Sequence, residues 1–107
     1  MTSMTDDVVV TKNQGENRYE ARLEGELAGF AAYQLTDELI VFTHTEVEPE
    51  FEGKGIGSAL ARFALDDVRE DGTRKVMPLC PFIKGWIGQH REYVPLLYGV
   101  PESTARD

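Results

Sequence analysis

The chain has 107 residues, 41% of them hydrophobic and 28% charged, with a formal net charge of −8. This length predicts one domain, 1–107, with its core over about 7–98 and a disordered tail over 99–107. The acidic balance argues against broad binding to nucleic acid or to an anionic membrane surface, because both need a positive field. The single cysteine, Cys80, excludes an internal disulfide and a cysteine-built zinc site, and no metal is expected.

Targeting signals are not apparent in the sequence. No apolar run approaches the roughly 20 residues that a membrane-spanning helix needs. The opening residues, MTSMTDDVVV, show neither the basic region nor the apolar region of a secretory signal. We therefore expect a cytoplasmic location.

The first half of the chain predicts four strands joined by short turns. The strands are expected from Val8 to near Asn13, at Arg18–Leu23, at about Leu27–Leu35 and at Leu39–Val47. Short turns imply that consecutive strands pair in antiparallel fashion. On the second strand, Tyr19, Ala21 and Leu23 are expected on one face and polar residues on the other.

The second half changes to helical spacing. An apolar stripe predicts a helix from Ile56 to about Arg69; its members are Ile56, Ala59, Leu60, Phe63, Ala64 and Val68. Gly72 is a natural stop, Lys75–Leu79 is predicted as a fifth strand, and Pro81 suits the start of a second helix. This order predicts an α/β (α+β) fold with a mixed sheet, in which strands four and five are parallel and adjacent.

In the second helix, Ile83, Trp86, Ile87 and His90 follow helical spacing. Trp86 and Phe82 are expected in the core. His90 is expected to bond a carbonyl rather than to act in catalysis.

The most informative stretch is EFEGKGIGSAL, residues 50–60, where three alternate glycines separate a strand from a helix. Glycine permits positive φ and close approach of a ligand, and the first helical turn presents unpaired N–H groups to an anion. Pyrophosphate suits such a concavity, with Ser58 adding a hydroxyl and Lys54 a charge. The spacing matches neither a Walker loop nor a G-x-G-x-x-G fingerprint, and a plain glycine-rich turn is the alternative.

Several motifs in order resemble the GNAT superfamily of N-acetyltransferases, and in particular its small single-domain members. They are THTEV at 43–47, GKGIGSAL at 53–60, PLCPF at 78–82 and HREY at 90–93. Gly55-x-Gly57 occupies the glycine positions of the family pattern Q/R-x-x-G-x-G/A, and Glu52 stands where Gln or Arg is usual. The resemblance covers about Arg18 to Tyr93.

The resemblance implies a GNAT-like fold with strands four and five splayed around acetyl-CoA. The pyrophosphate would lie on backbone amides of Gly53, Lys54, Gly55, Ile56, Gly57 and Ser58, and the pantetheine arm would run beside the backbone of Thr45, Glu46 and Val47. Relatives often use a tyrosine of the last helix to protonate the departing thiolate. Here Trp86 stands in that helix with Tyr93 just beyond it, and whether Tyr93 serves is left open.

His44 and Cys80 are the candidate catalytic residues. A free amine must lose a proton before it attacks a thioester, and histidine is a suitable base near neutral pH. His44 and Glu46 should share one face of the sheet, although His44 could instead be a hydrogen-bonded surface residue. Cys80, at a strand-to-helix junction, is either a nucleophile that forms an acetyl-cysteine or a small residue that lines the cleft.

The sequence thus predicts an acetyl-CoA-dependent N-acetyltransferase that moves an acetyl group to an unidentified amine, by direct attack. The alternative is a module that binds acetyl-CoA or CoA as a sensor without turnover. A purely structural domain would leave the glycine loop unexplained. The acceptor, a small molecule or a protein, and the oligomeric state cannot be predicted.

Overall fold

Five strands form one sheet in the order β1-β2-β3-β4-β5 in a computed structural model that describes residues 8–99. The strands are β1 (Val8–Asn13), β2 (Arg18–Leu23), β3 (Glu26–Leu35), β4 (Leu39–Val47) and β5 (Lys75–Pro78), and the helices are α1 (Ile56–Asp71) and α2 (Pro81–Gln89). Short 3-10 helices occupy Pro49–Phe51 and Arg91–Leu96. The α/β prediction is confirmed. The predicted tail lies outside the described residues, apart from Gly99.

The sheet is mixed, as the sequence predicts. β1 to β4 pair in antiparallel fashion, and β4 pairs in parallel with β5. That parallel pairing spans only Leu39–Phe42 of β4, and the N–H groups of Leu79 and Cys80 both donate to the Phe42 carbonyl oxygen at 3.0 and 2.9 Å. β4 continues along β3 to Val47, so β4 and β5 separate beyond Phe42.

A β-bulge at Thr43 sets which face each later residue of β4 presents. Phe42 and His44 pair with adjacent residues of β3, so Thr43 between them is an extra residue. If Phe42, Thr43 and His44 formed a regular strand, alternation would place Phe42 and His44 on the same face. With the bulge, Thr45 shares the helix-covered face with Phe42, and His44 and Glu46 lie on the opposite face.

Both helices pack on one face of the sheet and close a single core. α1 buries Ile56, Leu60, Ala61, Ala64, Leu65 and Val68. The predicted stripe is therefore partly wrong, because Phe63 is 39% exposed and Leu65 is buried in its place. Phe63 lies at the edge of the helix contact, where its ring meets Tyr19 edge-on. Gly72 ends α1 as predicted, with φ of 74° and its N–H donating to the Val68 carbonyl oxygen.

The second helix begins at Pro81 as predicted and buries Ile83, Trp86 and Ile87. Phe82, which the sequence places in the core, is 41% exposed, because it lies on the side of α2 that faces the glycine loop. The uncovered face of the sheet holds another difference. Glu20 is only 5% exposed although it lies on the polar face of β2, because neighbouring donors enclose its carboxylate.

Candidate functional site

The glycine loop between β4 and α1 depends on backbone conformations that other residues seldom adopt. Gly53 has φ of 87°, and Gly55, the N-cap residue of α1, has φ of 78°. An added Cβ would meet no atom within 4 Å at either position. Both positions therefore favour glycine because their backbone is left-handed, and not because a side chain would collide with neighbouring atoms.

Gly57 is a glycine for a different reason. It lies in the first turn of α1, and a Cβ there would come within 2.8 Å of Cζ in the Phe82 ring. The missing side chain therefore lets α2 approach α1 through Phe82. The sequence interpretation, close approach of a ligand, does not account for this contact.

The first turn of α1 has free amide donors. The first hydrogen bond within the helix runs from the Ala59 N–H to the Gly55 carbonyl oxygen at 3.0 Å, and no side chain caps the helix. The N–H groups of Ile56, Gly57 and Ser58 are thus left over at the positive end of the helix dipole. Such a turn can bind an anionic group.

A hydrogen bond between the helices fixes the orientation of Ser58. Trp86 donates from Nε1 to Ser58 Oγ at 2.8 Å, and the His90 ring stacks on the indole at a centroid distance of 3.7 Å. His90 Nδ1 lies 2.8 Å from the Trp86 carbonyl oxygen, to which it donates, so the predicted bond to a carbonyl is present. The role of Trp86 was not predicted, although a buried indole N–H always requires an acceptor.

A groove of about 480 Å³ lies between the glycine loop and α2. Its walls include Val47, Gly53, Gly55, Ser58, Phe82 and Trp86. All of the predicted pyrophosphate residues except Lys54 therefore share one groove with the last residue of β4. Lys54 and Glu52 of the loop are exposed.

The free edge of β4 faces the gap where β5 has ended. The Glu48 N–H donates to the Ala28 carbonyl oxygen of β3 at 2.8 Å. Peptide groups alternate in direction along a strand, so the N–H and carbonyl groups of Thr45 and Val47 point away from β3, into the gap. They can pair with the amide groups of an extended ligand.

Cys80 sits at the apex of the gap, as the N-cap residue of α2. Its side chain is 3% exposed, and its Sγ–H donates to Thr45 Oγ1 at 3.2 Å. The structure therefore brings together two predicted site residues that are 35 positions apart in the chain.

His44 and Glu46 lie on the other side of the sheet. His44 Nε2 is 3.8 Å from Glu46 Oε2, and the two side chains are 60% and 59% exposed. Since Thr45 contacts Cys80, the alternation of β4 directs His44 away from Cys80. The structure therefore places His44 and Glu46 on one face of the sheet, as predicted, and directs both away from the thiol.

Tyr93 is held by α1. Tyr93 is 2% exposed, and its O–H donates to Asp66 Oδ1 at 2.6 Å, while Arg62 Nη1 donates to the Tyr93 hydroxyl oxygen at 3.4 Å. Burial, followed by the Asp66 carboxylate, raises the pKa of Tyr93 above its usual value. The hydroxyl thus has a structural partner on α1.

Residues 8–99 contain no trio of His, Cys, Asp or Glu side chains placed to hold a metal ion. Within the same residues, neither helix has the length and apolar character needed to cross a bilayer.

A model of the GCN5-related N-acetyltransferase family matches residues 18–96, which include β2 to β5, the glycine loop, both helices and Cys80. The chain belongs to this family. This GCN5-related N-acetyltransferase is also similar to streptothricin acetyltransferase from Streptomyces lavendulae, with 45% identity over 52 residues. The match covers 47% of this chain and 28% of that protein, so the chain spans less than a third of the relative's length.

Solved structures share the fold. A GCN5-like protein of Staphylococcus aureus, 23% identical, has a TM-score of 0.64 over 96% of this chain and 98% of its own. The ribosomal-protein-S18-alanine N-acetyltransferase from Escherichia coli, 25% identical, has a TM-score of 0.53 over 59% of this chain and 42% of its own. The similarity to the Staphylococcus aureus protein thus extends over nearly the whole of both chains.

Proposed function

We propose that this chain binds acetyl-CoA and transfers the acetyl group to a primary amine. One observation carries the proposal: the free peptide edge of β4 reaches, at Val47, the same groove onto which the unpaired amides of α1 open. The first suits an extended chain with amide groups, and the second suits a diphosphate. Acetyl-CoA has both parts in that order. The names of the relatives, which are N-acetyltransferases or acetyltransferases, agree with the proposal.

In this arrangement the pyrophosphate lies on the amides of residues 53–58. The Ser58 Oγ accepts from Trp86, which leaves the serine's own hydrogen free to donate to a phosphate oxygen. The pantetheine arm lies along the Thr45–Val47 backbone and leads the thioester toward the apex of the gap. Acetyl-CoA acts as co-substrate.

The chemical step is direct attack. The amine nitrogen bonds to the acetyl carbon, the carbon–sulfur bond breaks, the amine loses one proton and the coenzyme sulfur gains one. His44 is the base that receives the amine proton, because it is an exposed imidazole one residue from Thr45, on the face that an acceptor can reach.

Cys80 lines the gap in this mechanism. An adjacent base is a common means of activating a nucleophilic thiol, and the Cys80 thiol instead donates to a threonine hydroxyl. Its burial, and the strand alternation that directs His44 to the opposite face, favour the lining role over an acetyl-cysteine intermediate.

The test has two parts. Calorimetric titration with CoA and with acetyl-CoA measures binding, and release of free thiol over a panel of primary amines measures transfer. We expect binding of both ligands and thiol release with at least one amine. A protein that binds neither ligand would contradict the proposal. Binding without thiol release from any amine would instead favour the binding module.

A further inference from the structure

The sheet face that the helices leave uncovered has an ion cluster on β2, centred on the buried carboxylate of Glu20. Glu20 accepts hydrogen bonds from Arg18 Nε at 2.8 Å, Arg22 Nη1 at 3.0 Å and Asn13 Nδ2 at 3.0 Å. Two guanidinium groups and one carboxylate give this cluster a net positive charge, although the whole chain has a formal net charge of −8. The cluster is thus a local exception on an acidic protein.

The cluster fixes the position of Arg18 but engages only part of its guanidinium group. Its hydrogen bonds to the described residues run through Nε alone, and its side chain is 29% exposed. The terminal nitrogens of the guanidinium therefore keep donors in the fork that suits a carboxylate.

Phe30 connects this positive group to the proposed base. The Arg18 Cζ is 4.6 Å from the centre of the Phe30 ring, and the centre of the His44 ring is 6.0 Å from the same point. The guanidinium carbon and the imidazole centre are therefore separated by no more than the sum of these two distances. Phe30 also pairs across the strands with Glu46.

These four residues form what we call the Phe30 strip: Arg18, Phe30, His44 and Glu46. The strip is positive at its β2 end, negative at its β4 end and apolar between them. Its β4 end adjoins the gap in which the thioester would lie. A ligand that matches it has an amine at one end, an anionic group at the other and an aliphatic chain between them.

We infer that the Phe30 strip binds the acceptor, and that the acceptor is a small ω-amino carboxylate. The amine lies at His44 and Glu46, the methylene groups lie over Phe30, and the carboxylate binds Arg18. The inference rests on the proposed function and uses the same step: the amine becomes an acetamide, its proton passes to His44, and the coenzyme sulfur takes up a proton.

Two compounds of equal length test the inference on the whole chain. 6-Aminohexanoate has an amine and a carboxylate, and hexylamine has the amine alone. We expect kcat/KM to be about tenfold higher for 6-aminohexanoate, since its carboxylate can accept a charge-assisted hydrogen bond from Arg18 that solvent partly screens. The preference should fall as salt is added, and 3-aminopropanoate, which cannot span the strip, should not share it.

Variants locate the carboxylate site. Arg18→Gln should bring the ratio of the two kcat/KM values close to one. Arg18→Lys keeps a charge beside Glu20 and should retain a ratio between those of the glutamine variant and the wild type. Arg74→Gln is the matched control: Arg74 bonds the Thr36 carbonyl oxygen, far from the strip in the fold, so the wild-type ratio should persist.

Equal or better turnover of hexylamine by the wild type would overturn the inference while leaving the proposed function intact. So would a preference that salt does not reduce, or a folded Arg18→Gln protein that keeps the wild-type ratio. If neither compound is acetylated, the inference is wrong, and thiol release with the wider amine panel decides separately whether acetyl transfer occurs at all.

Discussion

The indole N–H of Trp86 reaches from α2 to the first turn of α1, where it donates to the Ser58 hydroxyl at 2.8 Å. The two residues are 28 positions apart, and each belongs to a wall of the same groove. The bond selects one orientation of the hydroxyl. In the proposed function this orientation would suit a phosphate oxygen, and Trp86 would be a positioning residue for the coenzyme.

Trp86→Phe should weaken CoA binding about five- to tenfold, because the ring remains but the donor is lost. Ser58→Ala should have a similar effect. The double variant should bind no more weakly than the poorer single variant, since both changes remove the same interaction. Titration calorimetry of all four proteins measures this coupling, and losses that simply add would contradict it.

Gly55→Ala should weaken CoA binding at least tenfold and cost about 1 kcal/mol in the free energy of unfolding. Gly25→Ala is a matched control, because Gly25 has φ of 85° and equally open surroundings but lies in the turn between β2 and β3. Denaturant unfolding should show similar losses for both variants. Equal CoA affinity in the two folded variants would refute a role for the glycine loop in binding.

His44→Ala should lower kcat about 10²-fold or more and leave the Kd of acetyl-CoA nearly unchanged. The imidazole is exposed and has no part in the groove, so loss of the base should not disturb the coenzyme. Steady-state kinetics over a range of pH checks this, because the variant should lose the fall in kcat at acidic pH that a histidine base produces. A profile identical in shape to that of the wild type would assign proton removal to another group.

Cys80→Ser should keep turnover within about threefold of the wild type, because a serine hydroxyl can donate to Thr45 as the thiol does. Intact-protein mass spectrometry after exposure to acetyl-CoA without acceptor should show no added acetyl group. An acetylated wild-type protein together with an inactive serine variant would establish the covalent route instead.

Glu20→Gln should reduce the loss of folding stability that occurs when the pH is lowered. The hydrogen bond from Arg18 is the main cause that lowers the pKa of Glu20 in the folded chain. A lowered pKa stabilises the fold above the unfolded value, near 4.3, and this stabilisation is lost as pH falls through the folded value. Thermal melting at pH 7 and at pH 3.5 should therefore show a smaller drop in Tm for the variant than for the wild type.

The order and limits of the strands and helices were predictable because local signals mark them. Turn residues separate β1 to β4, and the bounds of β4, Leu39–Val47, are those the sequence predicts. Gly72 and Pro81 likewise mark the end of α1 and the start of α2. Each of these signals acts within a few residues of the boundary it sets.

Features that depend on distant contacts were not predictable. The spacing of α1 cannot show which side of the stripe the sheet covers, so Phe63 was placed in the core and is exposed. Gly57 offers no sign that its neighbour is the Phe82 ring. The sequence predicts that Glu20 faces solvent. It cannot show the burial of this side chain, because the donors that enclose it come from two strands.

The bulge at Thr43 makes this site tolerant of a one-residue deletion. Phe42 pairs with Tyr33 and His44 pairs with Ala32, so the residue between them has no partner on β3. Loss of the single codon for Thr43 would turn this stretch into a regular strand, in which His44 still lies opposite Ala32 and Thr45 still faces Cys80. Relatives that are one residue shorter here would therefore keep both the core and the faces that His44 and Thr45 present.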